Sequence, residues 1–422
     1  MIKRGPAYPW VVVALLWVVA ALNYVDRQVI FTLFPLLRTD LHLTSVQLGM
    51  LGTVFLWVYG AVSPFVGYLA DRFSRRKVIL VSFGIWSLVT LFLGFAHTYA
   101  QVLTAQALMG LSEACYLPAA LALIADYHGE ASRSRAVGLH QSGLYAGIVL
   151  GGVAGGWIGE HYGWHIVFYV LGTGGLIYLV VLMLGLKDPP RQEREAVEAG
   201  DKLPFSAAIA ELSGNGAFLL LLAAMTLVSI ALWCVYAWLP VFLFERYHLS
   251  LASAGFSSTF YIQIASFAGI LSGGWLADAW SRSSRRARGW TQAIGLMLAG
   301  PGLVLVGSTF SWWVLIPCLL CFGLGRGFWD ANLMPVLCQV VSDRLRATAY
   351  GIFNSAGCIG GGVMALVAGM LKETLGLAAA LEISGACIVV AAMCIAILCL
   401  TRLRGSALAP WATAGNSGAV EP

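Results

Sequence analysis

The stretch GYLADRFSRR at residues 67–76 recurs as GWLADAWSRS at residues 274–283, and this repeat decides the fold. Each copy joins an apolar segment to an arginine-rich loop at the same place in its half of the chain. Such self-similarity indicates a duplicated structural unit. Further matched positions keep a nearly constant offset: Glu113 and Pro118 match Asp330 and Pro335, and Arg133, Gly138, Gln141 and Gly147 match Arg346, Gly351, Asn354 and Gly360.

The composition excludes a soluble globular protein. Of the 422 residues 59% are hydrophobic and only 11% are charged, and the mean hydropathy is +0.82. A helix needs about 20 apolar residues to cross ~30 Å of hydrocarbon. We therefore predict an all-α membrane protein, with twelve transmembrane helices in two pseudo-symmetric six-helix bundles. The predicted spans are residues 9–36, 47–70, 78–98, 101–126, 135–158, 164–186, 211–243, 253–280, 290–309, 312–341, 348–371 and 377–401.

The positions of lysine and arginine predict the topology. Basic residues near span ends remain on the cytoplasmic side, and 20 of the 25 Lys and Arg residues fall in the termini and the even-numbered loops. Both termini are therefore expected in the cytoplasm, in a multi-pass protein of the inner (plasma) membrane. The net charge of +5 follows from this asymmetry and gives no reason to expect a nucleic-acid partner.

One long loop divides the two predicted halves. Residues 187–210 are polar and interrupted by prolines, which is typical of a linker. We predict an N-terminal six-helix bundle over residues 1–186, a cytoplasmic linker over 187–210, a C-terminal six-helix bundle over 211–404 and a disordered cytoplasmic tail over 405–422. We expect the protein to be a monomer in the lipid bilayer.

The sequence contains no signature of an enzyme or of a bound cofactor. It has no P-loop, no metal-ligand spacing and no Ser-His-Asp order, so we expect no metal, cofactor or catalytic residue. The nine cysteines fall within spans, where thiols are small apolar packing residues, and we expect no disulfide. A membrane sensor or an embedded enzyme is disfavoured because the linker is too short for a signalling domain.

Five charged residues lie inside predicted spans: Asp26 and Arg27 in span 1, Glu113 in span 4, and Arg326 and Asp330 in span 10. A charge at mid-membrane costs about 3 kcal/mol or more, so each needs a structural or functional reason. Burial favours the neutral form of a carboxyl group, which makes Glu113 a candidate proton carrier. The alternative is a permanent ion pair between Glu113 and Arg27 that locks two helices together.

The pair in span 10 also has two interpretations. Arg326 and Asp330 are four residues apart and can pair on one helix face, either to stabilise span 10 or as part of a solute cavity. We favour the cavity, because the repeat places Asp330 opposite Glu113. The predicted proton-coupling residues are therefore Asp26, Glu113 and Asp330.

Polar and aromatic side chains extend the predicted substrate site. Gln141 and Asn354 are repeat-equivalent amides that need partners inside lipid; they either contact a hydroxylated solute or join two helices. Gln106 lies two helical turns before Glu113, on the same face. Aromatic faces suit sugar rings or flat acids. The predicted substrate-binding residues are Tyr24, Arg27, Gln106, Gln141, Tyr145, Tyr236, Arg326, Trp329 and Asn354.

The chain resembles the major facilitator superfamily in its two G-x-L-A-D-x-x-S-R segments, its even topology and its central linker. LNYVDRQVI in span 1 and ALMGLSEACYLPA in span 4 resemble the anion:cation symporters of sugar acids and the Spinster-like lipid transporters. The resemblance to the symporters implies that Asp26 and Glu113 carry proton coupling. It also implies that Arg27 holds the substrate carboxylate, which a guanidinium can grip with two parallel hydrogen bonds. Gln106 stands where these families often have Arg, and we expect Arg326 to supply the missing cation.

The repeated segments are assigned to gating. In the superfamily this segment steadies the outward-facing state, and the resemblance implies that role here for Gly67, Asp71, Arg72, Arg75, Arg76, Asp278 and Arg282. We expect a secondary active transporter that works by alternating access, as a proton-coupled symporter of a small organic anion such as a sugar acid. The alternatives are a neutral sugar or a lysolipid as substrate, or an uncoupled uniporter.

Overall fold

The computed structural model describes residues 7–72, 74–188, 205–342 and 345–403, and for residues 66–72 it describes the backbone alone. Nearly all of this chain is helical. The first half contains α1 (Tyr8–Thr32), α2 (Phe34–Asp40), α3 (Ser45–Arg72), α4 (Arg75–Leu93), α5 (Tyr99–Glu113), α6 (Tyr116–Tyr127), α7 (Glu130–Tyr162) and α8 (Trp164–Gly185). The second half contains α9 (Phe205–Ser213), α10 (Gly216–Tyr247), α11 (Leu251–Ser281), α12 (Ala287–Ser308), α13 (Trp312–Val340), α14 (Arg346–Thr374) and α15 (Leu377–Thr401).

The membrane-spanning segments confirm the predicted count. The described residues contain twelve helical segments that are long and apolar enough to cross a membrane, with α5 and α6 together forming the fourth. Most predicted ends fall within one or two helical turns of the observed ends. Hydrophobic length therefore suffices to locate the spans, because each must match the thickness of the hydrocarbon layer.

The fourth span is divided near its middle. The sequence predicts one helix over residues 101–126, whereas α5 ends at Glu113 and α6 begins beyond Cys115. Ala114 and Cys115 keep helical backbone angles, but their N–H groups form only long hydrogen bonds of 3.4 Å. Pro118 contributes to the break because it has no N–H group to donate to the carbonyl of Ala114. Glu113 therefore lies at an interruption of the span.

The predicted linker ends in a helix rather than in irregular chain. α9 occupies its last residues, and the seventh span begins at Gly216 instead of residue 211. Ala208 and Leu212, one helical turn apart, are buried. A helix of this length is marginal in water by itself, so this packing stabilises α9. Residues 189–204 of the linker and the predicted tail at 405–422 lie outside the described residues.

The two halves meet tightly toward the face opposite the chain ends, which we call the closed face. α7 and α11 approach so closely that a Cβ atom at Gly255 would lie 2.0 Å from the carbonyl oxygen of Gly152. α3 and α14 meet similarly, since a Cβ atom at Gly369 would lie 2.4 Å from the carbonyl oxygen of Ser45. Small residues allow such backbone contact between membrane helices.

Hydrogen bonds between the halves reinforce the closed face. The Thr53 hydroxyl in α3 donates to the carbonyl of Gly362 in α14 at 2.7 Å. The Glu373 carboxylate accepts from the Ser45 N–H at the start of α3 at 2.9 Å. A carboxylate at a helix N-terminus is also favoured by the helix dipole. The closed face is thus held by backbone packing and by polar contacts together.

The opposite face, which we call the open face, is packed less tightly at two positions. Cβ atoms added at Gly138 in α7 and at Gly351 in α14 would have no atom within 4 Å. The adjacent side chains of Leu139 and Tyr350 are about half exposed. Because the two glycines are repeat-equivalent, both halves lack a close helix contact at corresponding positions.

We expect Gly255→Val to hold the halves apart at the closed face, because its side chain would collide with the backbone of α7 and overpacking costs about 1–3 kcal/mol. Spin labels on Thr39 and Leu375, which are exposed there on opposite halves, would report a longer distance in a background without the native cysteines. Gly174→Val is the matched control, since a Cβ atom at Gly174 meets nothing within 4 Å. Identical distance distributions for both variants would contradict this prediction.

Candidate functional site

A buried ion pair joins the first and fourth spans. Nε of Arg27 in α1 donates to Oε2 of Glu113 at the end of α5, at 2.7 Å. The side chains are 9% and 0% exposed. The second carboxylate oxygen, Oε1, has no hydrogen-bond partner. The carboxylate is therefore fully desolvated but only partly satisfied, which is costly.

Three aromatic rings enclose the Arg27 guanidinium. Its Cζ lies 5.0 Å from the ring centre of Tyr24, 5.1 Å from that of Phe55 and 4.6 Å from that of Tyr59. At such distances the negative faces of the rings attract a cation. Arg27, Glu113 and these three aromatic residues form what we call the Arg27 cluster. Phe55 and Tyr59, both in α3, were not predicted.

Asp26 points away from the Arg27 cluster, toward α4. Its side chain is buried and accepts from the Thr90 hydroxyl at 3.4 Å. Adjacent residues of a helix project about 100° apart, and the sequence predicts this divergence of Asp26 from Arg27. Asp26 and Glu113, the two acidic residues within predicted spans of the first half, therefore have different hydrogen-bond partners.

A second buried cation lies across the molecule, in α13. Nε of Arg326 is 3.3 Å from Oδ2 of Asp330, the predicted partner one turn later. Its Nη1 donates to the amide oxygen of Gln263 in α11 at 3.3 Å. Cζ lies 5.5 Å from the ring centre of Tyr236 and 5.9 Å from that of Tyr145. These five residues form what we call the Arg326 cluster.

The Arg326 cluster faces the other half. Tyr145 belongs to α7 of the first half, whereas the remaining members belong to the second half. Gln28, the neighbour of Arg27, donates from its amide to the Tyr236 carbonyl at 3.3 Å, and Gln263 donates to the Tyr236 hydroxyl at 3.3 Å. A continuous chain of contacts therefore leads from α1 to Arg326 through Tyr236. Gln28 and Gln263 were not predicted.

Four other predicted substrate residues lie in different surroundings. Gln106 is buried, with its amide nitrogen 4.0 Å from the Met109 sulfur. Gln141 is half-buried and its amide oxygen has no hydrogen-bond partner. Asn354 donates to the Ser63 hydroxyl at 2.9 Å, a contact between the halves. Trp329 is 1% exposed, so a ligand could touch its ring only after packed side chains moved. The binding roles of these four remain predictions.

Three of the predicted gating residues, Arg75, Arg76 and Asp278, form contacts within their own half. Arg75 forms an ion pair with Asp126, and Arg76 donates to the carbonyl of Met183 at 2.8 Å. Asp278 pairs with Arg288 at 2.6 Å. Arg282 is exposed. For Gly67, Asp71 and Arg72 the structure describes the backbone alone.

The closed face carries its own charged contacts. Glu245 accepts from Lys372 at 2.5 Å, and Arg38 of the first half lies 3.9 Å from the same carboxylate. Two surface depressions of roughly 400 and 290 Å³ lie here, lined by residues such as Asp40 and Lys372. Neither contains a member of the Arg27 or Arg326 cluster, so the buried charges mark the better candidate site. Among the described residues, no three His, Cys, Asp or Glu side chains are placed to hold a metal ion.

Comparison with known proteins identifies a family and several related transporters. The family model described as Major Facilitator Superfamily matches residues 16–365. A D-galactonate transporter of Escherichia coli is 26% identical over 88% of this chain and 91% of the relative. A Bacillus subtilis protein named a probable galactarate/D-glucarate transporter is 27% identical over 92% of this chain and 90% of the relative. Protein spinster homolog 1 of Xenopus tropicalis is 26% identical over 81% of this chain and 68% of the relative.

Solved structures share the fold. A bacterial homologue of the human lysosomal transporter Spinster, in an inward-facing and occupied conformation, superposes with a TM-score of 0.80 at 20% identity, over 96% of this chain and 100% of that chain. The same homologue in an unoccupied inward-facing conformation gives 0.76 at 21% identity. At this identity the likeness concerns the fold alone.

Proposed function

Because this chain belongs to the major facilitator superfamily, we propose that it is a proton-coupled symporter of a small organic anion, a sugar acid or a related carboxylate. The observation that carries the proposal is the ion pair of Arg27 with Glu113, which is buried at the break in the fourth span. A desolvated pair of this kind holds a cation and a proton acceptor in direct contact. Relatives named as sugar-acid transporters support the substrate class.

Coupling follows from the competition for Arg27. Leaving one member of a buried pair unpaired costs about 3–5 kcal/mol, so a substrate carboxylate can take Arg27 from Glu113 only if Glu113 becomes neutral. A proton on Glu113 provides this. Binding of the proton and binding of the anion then favour each other, which is thermodynamic linkage between two ligands. The ring faces of Tyr24 and Tyr59 keep the guanidinium in place during the exchange.

The remaining acidic residues extend the proton pathway. Asp26, hydrogen-bonded to Thr90, is a second coupling residue in the first half. Asp330 is about one third exposed beside Arg326 and is a third, in the second half. Gln141, whose amide oxygen is buried here, would accept a hydrogen bond from a sugar hydroxyl after the surrounding helices move apart.

Alternating access requires the closed face and the open face to exchange roles. With both termini in the cytoplasm of the inner membrane, as the basic loops predict, the closed face is periplasmic and this conformation is open inward. The repeated segments around Asp71 and Asp278 would then form pairs between the halves when the open face closes, and Asp278 would give up its pair with Arg288. A monomer is sufficient for this cycle.

A second candidate keeps the fold and changes the substrate to a lysolipid. It is favoured by the match to protein spinster homolog 1 and by the structural likeness to its bacterial homologue. Two buried guanidiniums and a set of amides are less suited to an acyl chain than to a hydroxylated anion. The sugar acid is therefore the first choice, and the lysolipid is an outcome of the same experiment.

Uptake into liposomes that contain the purified protein tests the proposal. With the interior more alkaline by one pH unit and no membrane potential, labelled D-galactonate or galactarate should accumulate about tenfold for each coupled proton. Collapse of the gradient with a protonophore should abolish accumulation. Transport of lysolipid without transport of either sugar acid would favour the second candidate. Equal internal and external sugar-acid concentrations under the gradient would indicate a uniporter.

A further inference from the structure

Two buried guanidiniums, one in each half, are more than a single carboxylate needs. Arg27 lies in α1 and Arg326 in α13, and their side chains are 9% and 11% exposed. A buried cation is expensive to keep in a membrane. One guanidinium can already bind one carboxylate through two parallel hydrogen bonds. The second cation therefore calls for a second negative group on the ligand or for a purely structural reason.

We propose that Arg27 and Arg326 bind the two carboxylates of one dicarboxylic sugar acid, one in each half of the transporter. This inference rests on the proposed function and narrows its substrate class. A ligand held at both ends by opposite halves is in contact with each moving body. Its binding would therefore bear directly on their relative movement.

The contacts place both cations in one central region. Tyr145 of the first half lies beside Arg326, and the Tyr236 backbone of the second half takes a hydrogen bond from Gln28, next to Arg27. Tyr24 lies 5.0 Å from Arg27 and also belongs to the electrostatic surroundings of Arg326. The tyrosine rings between the cations are suited to lie along a hydroxylated carbon chain.

Arg326 is less completely hydrogen-bonded to its carboxylate partner than Arg27 is. Its Nε is at ion-pair distance from Asp330 but lacks hydrogen-bond geometry, and it has no other acceptor. The Arg27 pair, in contrast, forms a direct hydrogen bond of 2.7 Å. Asp330 is 32% exposed, whereas Glu113 is 0% exposed. Asp330, the more exposed of the two carboxylates, can therefore turn away and leave the Arg326 guanidinium to a ligand carboxylate.

Charge balance sets the number of protons. Each substrate carboxylate displaces one protein carboxylate, Glu113 from Arg27 and Asp330 from Arg326. A displaced carboxylate in this desolvated region must become neutral. Two protons therefore accompany one dianion, and the step moves no net charge across the membrane.

Ligand-dependent thermal stability of the purified full chain tests the inference, since a ligand that binds the folded state raises its melting temperature according to its affinity. We expect galactarate, a six-carbon dicarboxylate, to bind at least about tenfold more tightly than D-galactonate, its monocarboxylate analogue. Arg326→Gln should weaken galactarate about 10- to 100-fold, as expected for one charge-assisted contact. It should change galactonate affinity less than about threefold.

The matched control is Arg285→Gln, an exposed arginine on the open face, which should leave both affinities unchanged. Arg326→Lys keeps the charge and replaces Arg326→Gln in the experiment if that variant does not fold. Arg326→Lys should lose an intermediate amount of affinity for galactarate and none for D-galactonate. Equal losses for both ligands, or no preference in the wild type, would overturn the inference. If neither compound binds or is transported, the proposed function itself fails, which is a different result.

Discussion

Glu113→Gln is expected to abolish proton-driven accumulation of a sugar acid while leaving exchange of that sugar acid intact. The amide has nearly the same shape as the carboxyl group and can still accept from Arg27 Nε, which lies 2.7 Å from Glu113 in the wild type. It cannot take up or release a proton. For D-galactonate, whose single carboxylate displaces Glu113 alone, the accumulation ratio under a pH gradient of one unit should therefore fall to about one, from the roughly tenfold per coupled proton expected for a symporter.

The measurement is uptake and counterflow in the same liposomes. Counterflow needs binding and movement of the halves but no proton gradient, so it separates loss of coupling from loss of binding. Glu160→Gln is the matched control, because Glu160 is exposed at the end of α7, and it should accumulate substrate as the wild type does. Accumulation by Glu113→Gln equal to that of the wild type would remove Glu113 from the coupling pathway.

The same variant separates the two interpretations of the ion pair. If Glu113 and Arg27 only lock α1 to α5, the neutral amide leaves a buried cation unpaired, and the protein should lose about 3–5 kcal/mol of stability without a change in coupling. If Glu113 exchanges a proton, the neutral state is part of the normal cycle. The unliganded variant should then lose the same stability, because Arg27 is left unpaired, but coupling disappears and a bound carboxylate substrate restores the stability.

Much of the fold could be predicted from the sequence because two constraints are strict. Spans must be long and apolar, and basic residues are distributed unevenly between loops. The repeat at residues 67–76 and 274–283 then relates the halves. The break after Glu113 was missed because the apolar run continues through it, and only Pro118 signals the interruption. α9 was missed because its polar surroundings are typical of a linker.

The contacts between the halves could not be predicted, because they depend on the conformation and not only on the fold. The same glycines in α7 and α11 would separate if the closed face opened. Gly255 has no local sequence feature that distinguishes it from Gly274, although one lies against the backbone of Gly152 and the other has a neighbouring atom only at 4.0 Å. Only the three-dimensional structure shows which of these glycines lies in a contact between the halves.

The charged members of the site were accessible from sequence because charges within spans are rare and costly. The neutral members were not. Gln263, Tyr59 and Phe55 surround the arginines, but amides and aromatic residues are common in the spans of this chain and carry no such penalty. Their partners lie in other helices, so spacing along the sequence gives no signal for them.

Arg27→Lys is expected to weaken binding of a carboxylate substrate about 10- to 100-fold, although the charge is retained. Arg27 has a planar fork that lies between the rings of Tyr24, Phe55 and Tyr59 while its Nε contacts Glu113. A lysine ammonium is a compact point charge that cannot grip a carboxylate with two parallel hydrogen bonds. The loss of one charge-assisted contact is worth about 1.5–3 kcal/mol.

Binding of D-galactonate and of galactarate to Arg27→Lys, measured by ligand-dependent thermal stability, would test this expectation. Both ligands should lose affinity by a similar factor, because each presents a carboxylate to Arg27. This pattern differs from that of Arg326→Gln, which should affect the dicarboxylate alone. Arg285→Lys, at an exposed arginine, controls for the substitution itself. If Arg27→Lys binds both ligands as tightly as the wild type, Arg27 does not hold the anion, and its contact with Glu113 is structural.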